Sequence, residues 1–246
     1  MSNRHFEERG DDYARYRPTY PARLAEVLAG LVEHRGLAVD VGCGTGQFSV
    51  LLAAHFDRVH ASDVSKTQIE NAAARANISY ITGSAEMLEV ADKSADLITA
   101  AQAAHWFDLP AFYEEVRRAG KPGSVIALIT YGVLGADGPG KDRIDQFYWQ
   151  EIHPFWPEGR QHVETAYRDF AFPFEQIETP ALDIERNWSA AAFLNYCRTW
   201  SSVKRADKAG RSDILDAFEA DLMALMPEGA TMRVTWPISI RCGRLV

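Results

Sequence analysis

The run Val39-Asp40-Val41-Gly42-Cys43-Gly44-Thr45-Gly46 constrains the fold more than any other stretch of the chain. It closes a short apolar segment, 37–41, that reads as a strand, and a helical pattern begins at once with Phe48, Leu51, Leu52 and Phe56 on one face. Glycine at alternate positions permits positive φ and lets a ligand approach the main chain closely. The helix start at Gln47 offers unpaired N–H groups to a ligand carboxylate. The rival reading is a dinucleotide fingerprint, G-x-G-x-x-G, but the third glycine arrives one residue early and position 47 is Gln.

The segments around this turn extend the pattern. Pro21 can open a helix, and Leu24, Val27, Leu28, Leu31 and Val32 form one apolar helical face. After the glycine run, strands are expected at 58–62, 78–82, 95–101 and 124–130, the last apolar throughout, as a strand buried on both faces should be. Ser65 followed by Gln68 reads as a capping box, and Leu109, Phe112, Tyr113 and Val116 mark another helix. The alternation implies a doubly wound, mostly parallel sheet with helices on both faces. The pattern breaks over 132–185, which is rich in Gly, Pro and aromatic residues. It is too long for a structureless loop, so it is expected to hold a helix and act as a lid. Helical patterns return at Phe193, Tyr196, Cys197, Trp200 and at Ile214, Phe218, Leu222, Leu225. Met232, Val234, Trp236, Ile238 and Ile240 alternate as a terminal strand.

Asp63 ends the second strand, 17 residues after Gly46. In a doubly wound sheet that point adjoins the first turn, and a carboxylate there can accept hydrogen bonds from two ribose hydroxyls. The competing reading is a capping Asp for the helix that Ser65 opens.

With these residues in place, the chain resembles the class I S-adenosylmethionine (SAM)-dependent methyltransferases. The resemblance rests on the glycine run and on Ala61-Ser62-Asp63-Val64-Ser65. It also rests on Gly83-Ser84-Ala85-Glu86-Met87-Leu88, Ser94-Ala95-Asp96-Leu97-Ile98-Thr99 and Gln102-Ala103-Ala104-His105-Trp106-Phe107. More narrowly, the Tyr16-Arg17-Pro18-Thr19-Tyr20-Pro21 opening, the 102–107 run and Trp236-Pro237 resemble the trans-aconitate methyltransferase-like branch. The resemblance implies a single α/β domain over 1–246 with a seven-stranded sheet whose last strand is antiparallel. A lid would come from 1–21 and 132–185. SAM is the implied cofactor. Asp40 with Gly42, Gly44 and Gly46 would hold its methionine part, Asp63 its ribose and Val64 its adenine face. Ser84, Ala85 and Glu86 would line the adenine edge, with Gln102 beside the donor. The family commonly has Asp where this chain has Ser84, and a hydroxyl holds the adenine amine more weakly. Glu86 also reads as an exposed acid in a turn.

Methyl transfer from a sulfonium asks the protein mainly to align two reactants. A carboxylate acceptor has a pKa of roughly 4 and needs no base; it needs cations, for which Arg17, Arg198 and Arg233 are candidates. A hydroxyl or carbon acid needs a base, and His105 is the candidate. Each also has a purely structural reading. Tyr13, Tyr16 and Tyr20 either close a lid or staple the N-terminal segment to the core. Trp106 and Tyr131 are candidate pocket walls, with Tyr131 also a candidate in the chemistry, and Phe107 is expected in the core.

The net charge of −8 disfavours nucleic acid as a partner, although Lys204-Arg205 and the 208–211 stretch could form a local basic patch. Three widely spaced cysteines, 43, 197 and 242, suggest neither a disulfide framework nor a metal site. The polar start lacks a signal-peptide core, and no apolar run is long enough to span a bilayer. The expectation is a cytoplasmic enzyme that methylates a small molecule, a carboxylate before other acceptors, with oligomeric state open. The alternatives are a methyltransferase of nucleic acid or protein, a nicotinamide-dinucleotide oxidoreductase, and a SAM-binding protein without catalysis.

Overall fold

The computed structural model describes residues 18–246. Arg17, Tyr13 and Tyr16 lie outside the described residues, as does most of the 1–21 segment.

Helix α1 (Ala22–Gly30) leads into β1 (Leu37–Val41), α2 (Gln47–Leu52), β2 (Arg58–Asp63), α3 (Lys66–Glu70), β3 (Ile78–Thr82) and β4 (Ala95–Ala101). Then come α4 (Leu109–Ala119), β5 (Gly120–Tyr131) and β6 (Gly135–Asp137). Strands β1 to β5 pair in parallel in the order β3-β2-β1-β4-β5. The step from β1 back across to β4 makes a topological switch point, with a crevice outside the carboxyl ends of both strands.

Side-chain alternation splits the interior into two cores. Val125, Ala127 and Ile129 of β5 join α1 and α2 through Leu24, Leu28, Phe48 and Leu52. Ile126 and Leu128 face the other way, onto Phe112, Tyr113 and Val116 of α4. Two caps set the helix starts. Ser65 Oγ accepts the Gln68 N–H, as the capping-box spacing predicts, and Asp108 Oδ1 accepts the Ala111 N–H. No helix fills the crossover between β3 and β4. That loop is held from α4 instead: Arg118 donates to the carbonyls of Leu88 and Val90, and Glu115 accepts the Leu88 N–H at 2.7 Å.

The second half builds the far edge. Helix α5 (Lys141–Gln146) runs into a π-helical turn (Phe147–Ile152) and a 3-10 turn (His153–Phe155), followed by α6 (Arg160–Glu164). After β7 (Glu175–Ile177) and β8 (Leu182–Trp188) come α7 (Ala190–Arg198), α8 (Ser201–Lys208), α9 (Asp213–Leu225) and β9 (Met232–Arg244). β9 is antiparallel to every neighbour. Arg233 and Val234 pair with β6 and also with β8, so these two lie on opposite edges of β9. The nine strands therefore occupy seven lanes: β5 and β6 follow one another on one edge, and β8 and β7 share the other. The split between β7 and β8 contains Pro180, which cannot donate to the ladder.

Residues 132–185 thus contribute β6, β7 and the start of β8 to the sheet, besides their helices. The segment packs on both sides of the sheet. Phe147 stacks on Phe218 at 3.9 Å in the first core, while Val163 and Tyr167 are buried in the second. Arg241 of β9 ties down the return by donating to the carbonyls of Tyr167 and Phe170, each at 2.6 Å. Among the described residues, no helix is long and apolar enough to cross a membrane.

Candidate active site

The glycine turn is moulded by its neighbours on β2. The N–H groups of Gly42 and Cys43 both donate to the Ser62 carbonyl, at 2.8 and 2.9 Å. Gly44 N–H donates to Asp63 Oδ2 at 2.8 Å, and Ser65 N–H to Oδ1 at 2.9 Å. Asp63 therefore lies beside Gly44 and also steadies the turn before α3, whose N-cap is Ser65. An ionised carboxylate has about four acceptor sites, which leaves room on each oxygen for a further donor.

All three glycines have positive φ, at 69°, 55° and 78°. Their surroundings differ. A Cβ on Gly42 would lie 2.5 Å from Ala103 Cβ, and one on Gly46 would lie 2.2 Å from the Tyr80 hydroxyl. A Cβ on Gly44 would meet nothing within 4 Å. The outer two glycines thus allow close packing, and the middle one faces open space beside Asp63. Val64, Met87 and Trp106, on the loops after β2, β3 and β4, are 59%, 69% and 62% exposed. An open glycine bend, an acceptor-rich carboxylate beside it and exposed apolar side chains on the flanking loops fit a ligand with a polar amino-acid end, a sugar and a flat base.

Other expected residues sit differently. Asp40 is wholly buried behind the turn, where Ser49 and Thr99 donate to its two oxygens at 2.6 and 2.9 Å. Burial raises its pKa to about 6, against the opposing pull of those two bonds. It fastens the glycine turn to α2 and β4 and does not open onto the crevice. Glu86 accepts the Asp108 N–H at 3.0 Å and so braces the start of α4. Ser84 is half-buried, and Ala85 is buried in the second core.

Gln102 has φ of +53°, a strained value for a side chain of its size, and three bonds hold it there. Its N–H donates to the Ile129 carbonyl, its Nε2 to the Tyr131 carbonyl, and its Oε1 accepts the Thr130 hydroxyl. The next turn carries His105, whose Nδ1 lies 2.8 Å from the Tyr167 hydroxyl. Burial holds the His105 pKa down at about 4, and the charges of Arg160 and His162 reinforce the effect. Ala103 and Phe107, on either side of His105 in the same stretch, abut Gly42.

The cations expected at Arg198 and Arg233 are exposed ion pairs with Glu219 and Glu185, away from this crevice. Arg211 in the basic stretch is likewise paired, with Asp213. Tyr20 packs edge-on against Phe48 and Tyr131 and staples the chain start to α2 and β5. Two residues near His105 were not anticipated: Tyr167 and Arg160. Arg160 stacks over Trp156 at 4.3 Å and donates to the Tyr148 hydroxyl, with Glu164 at 3.5 Å. Both belong to the 132–185 segment, whose aromatic content was the only available signal. Among the described residues, no group of three His, Cys, Asp or Glu side chains is placed to hold a metal ion.

A family model described as a methyltransferase domain matches residues 39–128, the span that contains the glycine bend, Asp63 and His105. A Dictyostelium discoideum protein named as a methyltransferase is 32% identical over 215 residues, covering 86% of this chain and 82% of that one. A solved structure described as a type II methyltransferase from Anaeromyxobacter dehalogenans is 41% identical. It has a TM-score of 0.87, covering 93% of this chain and 97% of that one. A malonyl-[acyl-carrier protein] O-methyltransferase of Serratia marcescens is 31% identical over 189 residues, covering 76% of this chain and 68% of its own. Bend, carboxylate, sheet order and relatives agree: the chain belongs to the SAM-dependent methyltransferases.

Proposed function

We propose that the chain esterifies a small-molecule carboxylate, with the 132–185 segment acting as a lid over the crevice. The observation that carries this reading is the setting of His105: its Nδ1 lies 2.8 Å from the buried Tyr167 hydroxyl, and Arg160, paired with Glu164, is near enough for its charge to help hold the ring neutral. That combination serves an acceptor that is already anionic and needs positioning, not deprotonation. The Serratia relative, named for O-methylation of a malonyl group, is in keeping with it.

In this reading Asp63 binds the ribose hydroxyls, Val64 covers one adenine face, and Ser84 and Ala85 line the adenine edge. The Gly42–Gly46 bend takes the amino-acid end. The bound donor supplies a methyl group already activated on a sulfonium sulfur. Arg160 draws the carboxylate in, Trp156 and Tyr148 keep the guanidinium in place, and the lid excludes water, so the gain is one of proximity. A screen of organic acids with SAM tests it. Products should be base-labile methyl esters, and Arg160→Gln should raise acceptor KM by about tenfold or more, the scale of one charge-assisted hydrogen bond, while S-adenosylhomocysteine binds as before. Products that are stable ethers or N-methyl compounds would overturn the reading.

A further inference from the structure

We infer that Gln102 is a positioning residue for the methyl donor: its carboxamide staples the end of β4 to β5, and the turn that follows sets Ala103 against Gly42 as the backing of the glycine bend. No acceptor takes part in this, so the role holds whatever compound is methylated and does not use the esterification reading.

Strands β4 and β5 pair in parallel as far as Ala101 and Ile129, and the Gln102 N–H adds one more bond, to the Ile129 carbonyl at 2.8 Å. In a parallel ladder such bonds recur at every second residue, so a continued β4 would offer the Tyr131 carbonyl the N–H of Ala104. Here Gln102 Nε2 donates to that carbonyl instead, at 3.2 Å. Its Oε1 accepts the hydroxyl of Thr130, a wholly buried residue, at 3.0 Å. The side chain thus does the pairing of the next stretch of strand, and the main chain is free to leave the sheet. It leaves at Gln102 itself, through a φ of +53°. That left-handed value is unfavourable for any residue but glycine, and it persists only where the surroundings hold it.

The turn that results closes with the Trp106 N–H on the Ala103 carbonyl at 2.9 Å. It fills the space where Gly42 has no side chain: a Cβ there would lie 2.5 Å from Ala103 Cβ and 3.3 Å from the Phe107 ring. The bend is therefore held from two sides. On β2 the Ser62 carbonyl and Asp63 take its N–H groups. On β4 it rests on Ala103, the residue next to Gln102. Only the second support depends on the staple. Gln102 acts on the donor through Ala103 and the bend.

Two substitutions at Gln102 separate positioning from mere stability. Gln102→Ala removes the staple and keeps the backbone strain; Gln102→Gly removes both, because glycine accepts positive φ. Thermal melts should show Tm lowered in Gln102→Ala and recovered towards wild type in Gln102→Gly. Affinity for S-adenosylhomocysteine, read by titration calorimetry, should instead fall by about tenfold in both, the scale of the lost hydrogen bonds. A role in stability alone requires glycine to restore affinity together with Tm, and that result overturns the assignment, as does wild-type affinity in Gln102→Ala. Thr130→Val removes the hydroxyl that holds Oε1. It should weaken binding by about threefold in the wild type and add nothing in Gln102→Gly, because members of one hydrogen-bonded network are not additive. Equal losses in the two backgrounds would show that Thr130 acts by another route, and the staple would fall.

Discussion

Gly44 N–H donates to Asp63 Oδ2 at 2.8 Å, so the carboxylate at the end of β2 and the middle glycine of the bend after β1 form one unit. If that unit grips the ribose of the donor, Asp63→Ala removes an acceptor for its hydroxyls and frees the bend at once. Charge-assisted hydrogen bonds of this kind contribute about 1.5–3 kcal/mol each. Titration calorimetry with S-adenosylhomocysteine should show affinity lowered by about ten- to a hundredfold or more, with Asp63→Asn losing less because one acceptor oxygen remains. Unchanged affinity in the alanine variant would remove the main support for the crevice as the donor site.

The glycines of the bend should separate by phenotype. At Gly42 a methyl group would strike Ala103 Cβ at 2.5 Å, so Gly42→Ala should lower Tm and weaken donor binding together. At Gly44 the methyl group meets no protein atom, and the cost to the free protein is the left-handed backbone alone, about 1–2 kcal/mol. Gly44→Ala should therefore show a modest shift in Tm and a disproportionate loss of donor affinity, because the new group occupies the open space beside Asp63. Paired thermal melts, with and without S-adenosylhomocysteine, measure both effects. A Gly44→Ala protein stabilised by ligand as much as the wild type would place the donor elsewhere.

The bend and its contact with Asp63 were legible in the sequence because their signals are local. A glycine every second residue between a strand and a helix, and an acid at the next strand's end, are set by a stretch of some 25 residues. The sheet to β5 was legible for the same reason: short strand segments, polar residues such as His60 and Ser79 included, alternate with helical patterns and turn residues. Asp40 was harder. Its spacing from the glycines gives no sign that Ser49 and Thr99 close over it, because Thr99 comes from a strand 59 residues on. The surroundings of His105 were illegible. Arg160 and Tyr167 reach His105 only through the packing of 132–185 across both cores, and no local period encodes that route. Arg198, Arg233 and Arg160 look the same in sequence and all pair with a Glu; Arg160 differs in being less exposed and packed against Trp156 and the Tyr148 hydroxyl.

Asp40 should leave a signature in stability. Burial raises its pKa to about 6, above the roughly 3.9 of an unfolded Asp. Between those values the folded chain holds a proton that the unfolded chain has released, so stability falls as pH rises from about 4 to 6 and then levels off. The cost at neutral pH is on the order of 3 kcal/mol. Asp40→Asn cannot ionise, so urea melts across pH 4–8 should lose this slope, and the variant should compare best with wild type at the alkaline end. An identical slope in both proteins would show that Asp40 ionises as easily folded as unfolded.

His105 gives the opposite sign and a kinetic consequence. Its folded pKa of about 4 lies below the roughly 6.5 of a free histidine, because burial opposes the charge and Arg160 and His162 on α6 add to it. Between those values only the unfolded chain takes up the proton, so this group's contribution to stability grows as pH climbs from 4 to 6.5 and is complete above that. In catalysis the imidazole has no proton to lose near neutrality, and a carboxylate acceptor is already ionised above about pH 5. The profile of kcat/KM should therefore be flat from about pH 5.5 to 8, and His105→Gln should lower it without changing its shape. An inflection near pH 6.5 that vanishes in His105→Gln would mean that the histidine takes a proton during turnover. The acceptor would then be a hydroxyl or a carbon acid, with His105 as its base.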